Sequence, residues 1–197
     1  MRSLGYVVVQ ADQEYNNEVE LAGVKIVVNT TIESVENINR EATVVSSPEG
    51  TILLPGDRVI VHHNIMRKKN STSGKEIKSQ FHIKDDKYFV PPTEVFAYKR
   101  GDESEWQGLD PYCFVEPIKA KDKEVGGINI SAEKDKENFK GRENGVGILR
   151  IANRELLEEE GLKIGDKVHF TPWSEYEVKV DGRVMYRMKS EDILAKE

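Results

Sequence analysis

The sequence predicts an all-β protein made of two similar units, and three observations predict it. Short stretches rich in β-branched and aromatic residues recur along the whole chain, separated by polar or Gly/Pro-containing turns. Only one stretch reads as a helix. The apolar approach, Gly-Asp turn and following strand of "TILLPGDRVIVHH" (51–63) also return as "GLKIGDKVHF" (161–170).

In the first half the expected strands are "GYVVVQA", "VKIVVN", "EATVVSS", "DRVIVHH", "KYFVPP" and "EVFAYK". In the second half "YCFVEPI", "GGINIS", "GVGILRIA", "DKVHFTPW", "YEVKV" and "RVMYRMK" follow in the same order. The helical candidate is "NRELLEEEG", with Asn153 as its N-cap, Leu156 and Leu157 in its body and Gly161 as its stop. Between the halves lies "RGDESEWQGLD", polar, with two glycines and no period. It reads as a linker over 100–110, with Trp106 packing on a neighbouring unit. The domains expected are therefore 1–99 and 111–197.

Aligning the halves supports an internal repeat. Tyr6 to Gln10 matches Tyr112 to Glu116, and "AGVKIV" at 22–27 matches "GGINIS" at 126–131. "REATVVSS" at 40–47 matches "ENGVGILRIA" at 143–152, the Gly-Asp turns come next, and Tyr88 to Lys99 matches Val184 to Glu197. The phrase "MRKKNSTSGKEIKSQFHI" (66–83) has no counterpart in the second half, and no function follows from it.

Composition narrows the function. A formal charge of -6 argues against a nucleic-acid partner, which needs clustered Lys and Arg. The one basic run, Met66 to Lys69, leads into "NSTSGK" and reads as a solvated loop. No run of eighteen apolar residues marks a membrane span, and Met1 leads into "YVVV" without the zones of a signal peptide. A cytoplasmic protein with no membrane partner is expected. The sequons at Asn29, Asn70 and Asn129 read as chance.

Chemistry has little to stand on. The single cysteine, Cys113, excludes an internal disulfide and a cysteine-based zinc cage, and between Tyr112 and Phe114 it reads as a small core residue. His62, His63, His82 and His169 show no metal-ligand spacing. His62 and His63 fall at a strand end, where one is expected to face in and the other out. Glu158, Glu159 and Glu160 read as a solvated face, and "GKEIK" lacks the glycine spacing of a phosphate loop. No enzyme, metal or cofactor is expected.

The closing stretch "GLKIGDKVHFTPWSEYEVKVDGRVMYRMKSEDILAKE" resembles the end of the GroES family of co-chaperonins. That family finishes in an apolar-Lys-apolar-Gly-Asp turn, a strand, a Tyr-containing loop, an apolar strand and Ser-Glu-x-Asp-Ile-Leu-Ala, here Ser190 to Ala195. "GGINIS" is similar to the Gly-Gly-apolar centre of the family's mobile loop, and "GRENGVGILRIA" to the strand after it. The resemblance covers nearly all of 111–197. Over 6–99 it is fainter, resting on the Gly-Asp turn, "DRVIVHH" and the repeat alignment.

The resemblance implies two tandem GroES-like small β-barrels, each with a long flexible loop after its first strand, similar in layout to the double-domain co-chaperonins of plastids. It implies a co-chaperonin that caps an ATP-driven chaperonin and assists folding, its loops contacting GroEL-type apical domains through apolar side chains. The corresponding residues are Gly126, Gly127, Ile128, Asn129 and Ile130 in the second unit and Val24, Lys25 and Ile26 in the first. Burying two isoleucines contributes about 3 to 6 kcal/mol, much of it offset by ordering the loop, so tight capping would need several loops at once. A homo-oligomeric ring is implied, with Tyr6, Val7, Val8 and Val9 of the first strand and Ile193 and Leu194 of the last supplying outer edges.

Two departures from the family pattern keep a second reading open. The middle residue of each loop triplet is polar, Asn129 and Lys25, and such alternation equally describes an edge strand with one buried face. The family's Gly-rich roof hairpin is also missing. The alternative is a structural ring component of a phage or virion, built on the same barrels without chaperonin binding; a phage-encoded protein would work in the host cytoplasm.

Overall fold

The computed structural model describes residues 4–12, 18–27, 40–73, 75–101, 105–126, 128–131 and 140–197. The chain divides into two compact units, 1–107 and 108–197. Unit 1 holds β1 (Val7–Ala11), β2 (Glu18–Leu21), β3 (Val24–Val27), β4 (Glu41–Ser46), β5 (Arg58–Val61), β6 (Lys68–Asn70), β7 (Glu76–Lys78), β8 (His82–Lys84), β9 (Lys87–Val90), β10 (Val95–Lys99) and the short β11 (Gln107–Gly108) at its boundary. Its main sheet runs β11-β10-β5-β4-β1-β9-β8, and β2-β3 and β6-β7 form separate two-stranded ribbons.

Unit 2 holds β12 (Tyr112–Lys119), β13 (Lys123–Val125), β14 (Ile128–Ile130), β15 (Arg142–Ile151), β16 (Lys167–Phe170), β17 (Tyr176–Val180), β18 (Arg183–Lys189) and β19 (Ile193–Lys196). Its main sheet runs β17-β18-β12-β15-β16-β19, with β13-β14 as a separate ribbon. Setting ribbons and β11 aside, both sheets place their strands in one order, and all the main-sheet registers given are antiparallel. Val9 lies opposite Val44 and Tyr88; Val115 lies opposite Leu149 and Tyr186. Among the described residues each sheet ends on distinct edge strands, so neither closes into a barrel through backbone bonds.

The Gly-Asp turns show how the two sheets are set. Gly56 and Gly165 have φ of 93° and 98°, a left-handed backbone that glycine adopts without a Cβ penalty. Each donates its N–H across the sheet, Gly56 to the Val44 carbonyl and Gly165 to the Leu149 carbonyl, both at 2.8 Å. The next residue folds its carboxylate back. Asp57 Oδ2 accepts from the Leu54 N–H at 2.8 Å, and Asp166 Oδ2 from the Lys163 N–H at 2.7 Å. Ahead of each turn a leucine is buried, Leu53 in unit 1 and Leu162 in unit 2.

Burial follows the strands' inward faces. Unit 2 centres on Cys113, Val115, Leu149, Leu156, Phe170, Tyr186 and Met188, with Ile193 packed against them. Cys113 is fully buried, and burial pushes its thiol pKa up to about 12. The expected helix is a single turn, Glu155–Glu159. Asn153 Oδ1 accepts from the Leu156 N–H at 3.1 Å, as the N-cap expectation requires.

One expectation changes. His62 and His63 do not take opposite faces: the strand ends at Val61, alternation stops there, and the two half-buried rings lie 4.1 Å apart. Described residues at both ends of the stretch expected as a linker make contacts within unit 1. Arg100 donates to both Asp57 carboxylate oxygens at 2.9 Å, and Trp106 is buried with the Arg58 guanidinium 5.7 Å from its ring centre.

Candidate functional site

In both units the chain leaves the main sheet after its first strand, forms a ribbon and returns into the second. The ribbon of unit 1 pairs Leu21 with Val24 and Glu20 with Lys25 around Ala22-Gly23, which have φ of 52° and 80°. The ribbon of unit 2 pairs Val125 with Ile128, Glu124 with Asn129 and Lys123 with Ile130, turning at Gly126 with φ of 60°. Turn residues of positive φ match the twist of paired strands, which accounts for Gly23 at the unit 1 tip and Gly126 at the unit 2 tip. Leu21 and Val24 are exposed beside the unit 1 tip, an apolar pair open to solvent.

Charged clusters hold the base of each excursion. In unit 1 Asp12 accepts from the Thr43 hydroxyl at 2.8 Å and pairs with Arg58 at 3.5 Å, and Arg58 also pairs with Glu41. In unit 2 Ala120 and Gly141 close the neck by a backbone bond of 3.0 Å. Below it, Arg142 Nη1 donates to Glu177 at 2.8 Å and to the Tyr186 hydroxyl at 3.0 Å, while Lys140 pairs with Glu177 at 3.2 Å. Burial alone would lower the Arg142 pKa, but Tyr186 and Glu177 outweigh it and raise the value; burial raises that of Tyr186. These networks fix where each ribbon starts.

The loop residues named from the sequence fall in the two ribbons, one set in each. Val24, Lys25 and Ile26 fall on β3, and Ile128, Asn129 and Ile130 on β14, each the returning strand. Gly126 forms the turn, and Gly127 lies outside the described residues. The expected sheet edges need correction. β1 is bonded on both sides, to β4 and β9, so Val7, Val8 and Val9 are buried in the sheet interior and offer no edge. Tyr6 stands just before it, half exposed, with its ring 6.0 Å from that of Phe89. Ile193 and Leu194 do lie on an edge strand, β19, with Leu194 exposed.

Several contributors escaped the sequence reading. Arg142 and Glu177 meet through folding alone. Gly147 sits where a Cβ would come within 2.3 Å of Val115 Cγ1 and 2.7 Å of the Glu116 carbonyl oxygen, so the β12–β15 crossing admits no side chain there. Ser190, the first residue of the closing motif, is a buried tie. Its N–H donates to the Pro111 carbonyl at 2.7 Å, and its hydroxyl accepts from Asn153 Nδ2 at 2.6 Å, joining the end of the chain to the starts of β12 and the helical turn. A serine followed by acidic residues was the available signal.

Comparison with known proteins bears on the same half of the chain. The family described as the Chaperonin 10 Kd subunit matches residues 106–197. Co-chaperonin GroES of Pelagibacter ubique is 32% identical over 86 residues, 44% of this chain and 90% of the relative. Co-chaperonin GroES of Novosphingobium aromaticivorans is 35% identical over 86 residues, with the same coverage of both chains. Co-chaperonin GroES 2 of Rhodopseudomonas palustris is 36% identical over 80 residues, 41% of this chain and 77% of its own.

Proposed function

This chain belongs to the chaperonin 10 family of co-chaperonins, and we propose that it caps a GroEL-type chaperonin through both of its ribbons. The observation that carries the reading is the ribbon of unit 2. Within the stretch that matches the family, its turn at Gly126 and its returning strand Ile128–Ile130 stand on a charged base apart from the main sheet. Unit 1 is proposed as a second copy of the same domain, with 1–99 and 111–197 as the two barrels. The shared strand order, the matching Gly-Asp turns and the ribbon after the first strand support that reading.

Ring formation is proposed to use the free edge of β19. In unit 1 the corresponding strand, β10, is covered by β11, whose Gln107 accepts from the Tyr98 hydroxyl at 2.6 Å. In unit 2 no strand covers β19 among the described residues. A strand from another copy laid on β19 would remove that edge and close a ring. ATP hydrolysis belongs to the partner, and the chain itself is proposed to be no enzyme. No helix among the described residues is long and apolar enough to cross a membrane.

Size-exclusion mass analysis with a group I chaperonin, with and without ADP, tests the reading. Nucleotide-dependent co-migration is expected, and the Ile128→Asp/Ile130→Asp pair should abolish it while leaving the mass of the free protein unchanged. A ring that ignores the chaperonin under every condition overturns it. The polar centres of the two triplets, Lys25 and Asn129, favour the second reading in that case: a structural ring component, of a phage or virion, that keeps the barrels alone.

A further inference from the structure

The stretch 66–83 marks a large difference between the two main sheets. From β16 to β17 the chain needs only 171–175, whereas from β5 to β8 it runs through 62–81 and folds β6 and β7 as a ribbon. This excursion walls a cavity of about 410 Å³, within the range that small ligands occupy. Ile65, Ile77 and Phe81 give it an apolar side, Ile65 buried and Ile77 half exposed. Arg67 and Lys78 give it positive charge, with Glu94 the one carboxylate in the lining among the described residues.

Arg67 is under-used for a residue with five N–H donors. Among the described residues its one hydrogen bond runs from Nη1 to Asn64 Oδ1 at 3.3 Å, and its Nε is buried without an acceptor. Lys78 Nζ stands 3.2 Å from His82 Nε2 and 3.4 Å from the Asp85 carbonyl, with no carboxylate partner among the described residues. Glu94 Oε2 lies 3.9 Å from His62 Nδ1. Two cations without an acidic partner among the described residues, beside an apolar wall, match a ligand that is apolar at one end and anionic at the other. A guanidinium binds a planar carboxylate through paired N–H donors, so carboxylate is the chemistry that fits.

We propose that this cavity binds a compact apolar group bearing a carboxylate, held by Arg67 and Lys78 and covered by Ile77 and Phe81. Such a group can come from the free C-terminus of a peptide ending in an apolar residue or from a free organic acid. The proposal is independent of chaperonin binding, and its failure leaves that reading untouched.

Isothermal titration of the full chain tests it with three probes: acetyl-Gly-Phe with a free carboxylate, the same peptide amidated, and phenylacetate. At least one carboxylate probe should bind, and the amidated peptide at least about tenfold more weakly than its acid form. Binding of the peptide acid alone identifies a peptide terminus as the source; binding of phenylacetate alone identifies a free acid. Arg67→Gln should weaken binding about tenfold or more, while Glu94→Gln should strengthen it about twofold to fivefold by removing a like charge. Opposite signs are not what a general loss of folding produces, and Lys78→Gln provides a second loss variant if Arg67→Gln is unstable. The proposal is overturned if neither acid binds at millimolar concentration, if the amide binds as well as the acid, or if both loss variants bind like the wild type.

Discussion

The Gly-Asp turn of unit 1 and that of unit 2 share every backbone bond but differ in how the aspartate is neutralised. Asp57 is 2% exposed and takes two bonds from Arg100, just beyond β10. Asp166 is partly exposed and takes one bond of 2.7 Å from Lys196, within β19. Leu54 and Lys163 donate alike to the two carboxylates. The turn is thus specified locally, by glycine's left-handed backbone and aspartate's short reach, while its counter-ion comes from whichever cation the edge brings near. Local chemistry repeats; long-range partners need not.

The sharpest break in the comparison lies at Gly147, whose register partner is Val168, as Ala42's is Val59. Unit 1 accommodates a methyl there, whereas in unit 2 a Cβ would strike Val115 and the Glu116 backbone. Gly147→Ala should destabilise unit 2 by about 3 kcal/mol through overpacking. Ala42→Gly should cost unit 1 about 1 kcal/mol through chain entropy and lost packing. Hydrogen exchange read by mass spectrometry assigns each loss to its unit. Equal losses would mean that the two crossings are equally tight.

The next effect concerns the aspartates. Asp57→Ala should cost about 2 kcal/mol, because it leaves a part-buried N–H and a partly exposed guanidinium without their carboxylate acceptor. Asp166→Ala should cost less, its pair being open to solvent, and added salt should shrink that loss further. Burial alone would raise the Asp57 pKa, but bonding by Arg100 and Leu54 brings it below the ordinary value of 3.8. Lys196 and the Lys163 N–H lower Asp166 likewise. A depressed folded-state value gives stability that is complete above the unfolded value and lost as pH falls through the folded one. Urea unfolding of wild type and Asp57→Ala should therefore converge as pH falls from 7 to below about 4. A difference that stays constant would assign the loss to packing.

These contrasts explain what could be read from the sequence. The strands, the repeated turn, the Asn153 cap and buried Cys113 depend on neighbours close in the chain, and alternation or turn chemistry signals them directly. The interior place of β1, the Arg100–Asp57 pair and the need for Gly147 depend on which strand lies alongside, and one strand's own residues do not encode that. The ribbon residues were legible as a set because glycines mark both tips. The cavity beside Arg67 was not, since "MRKK" looks solvated until β7 brings Ile77 and Lys78 to the same cavity as Ile65 and Phe81.

The smallest test concerns the outer face. In unit 2 the Arg187 guanidinium stands 5.1 Å from the ring centre of Tyr112 and 4.5 Å from that of Tyr176. At the matching register unit 1 places Phe89 beside Tyr6 and near Phe81, and these three line an apolar recess. If the faces are alternative solutions for one position, Phe89→Arg should stack between its neighbours and change stability by no more than about 0.5 kcal/mol, the scale of an exposed cation–π contact. A loss above about 2 kcal/mol would show that Phe89 is held by packing that Arg187 lacks. The two outer faces would then differ in architecture as well as in polarity.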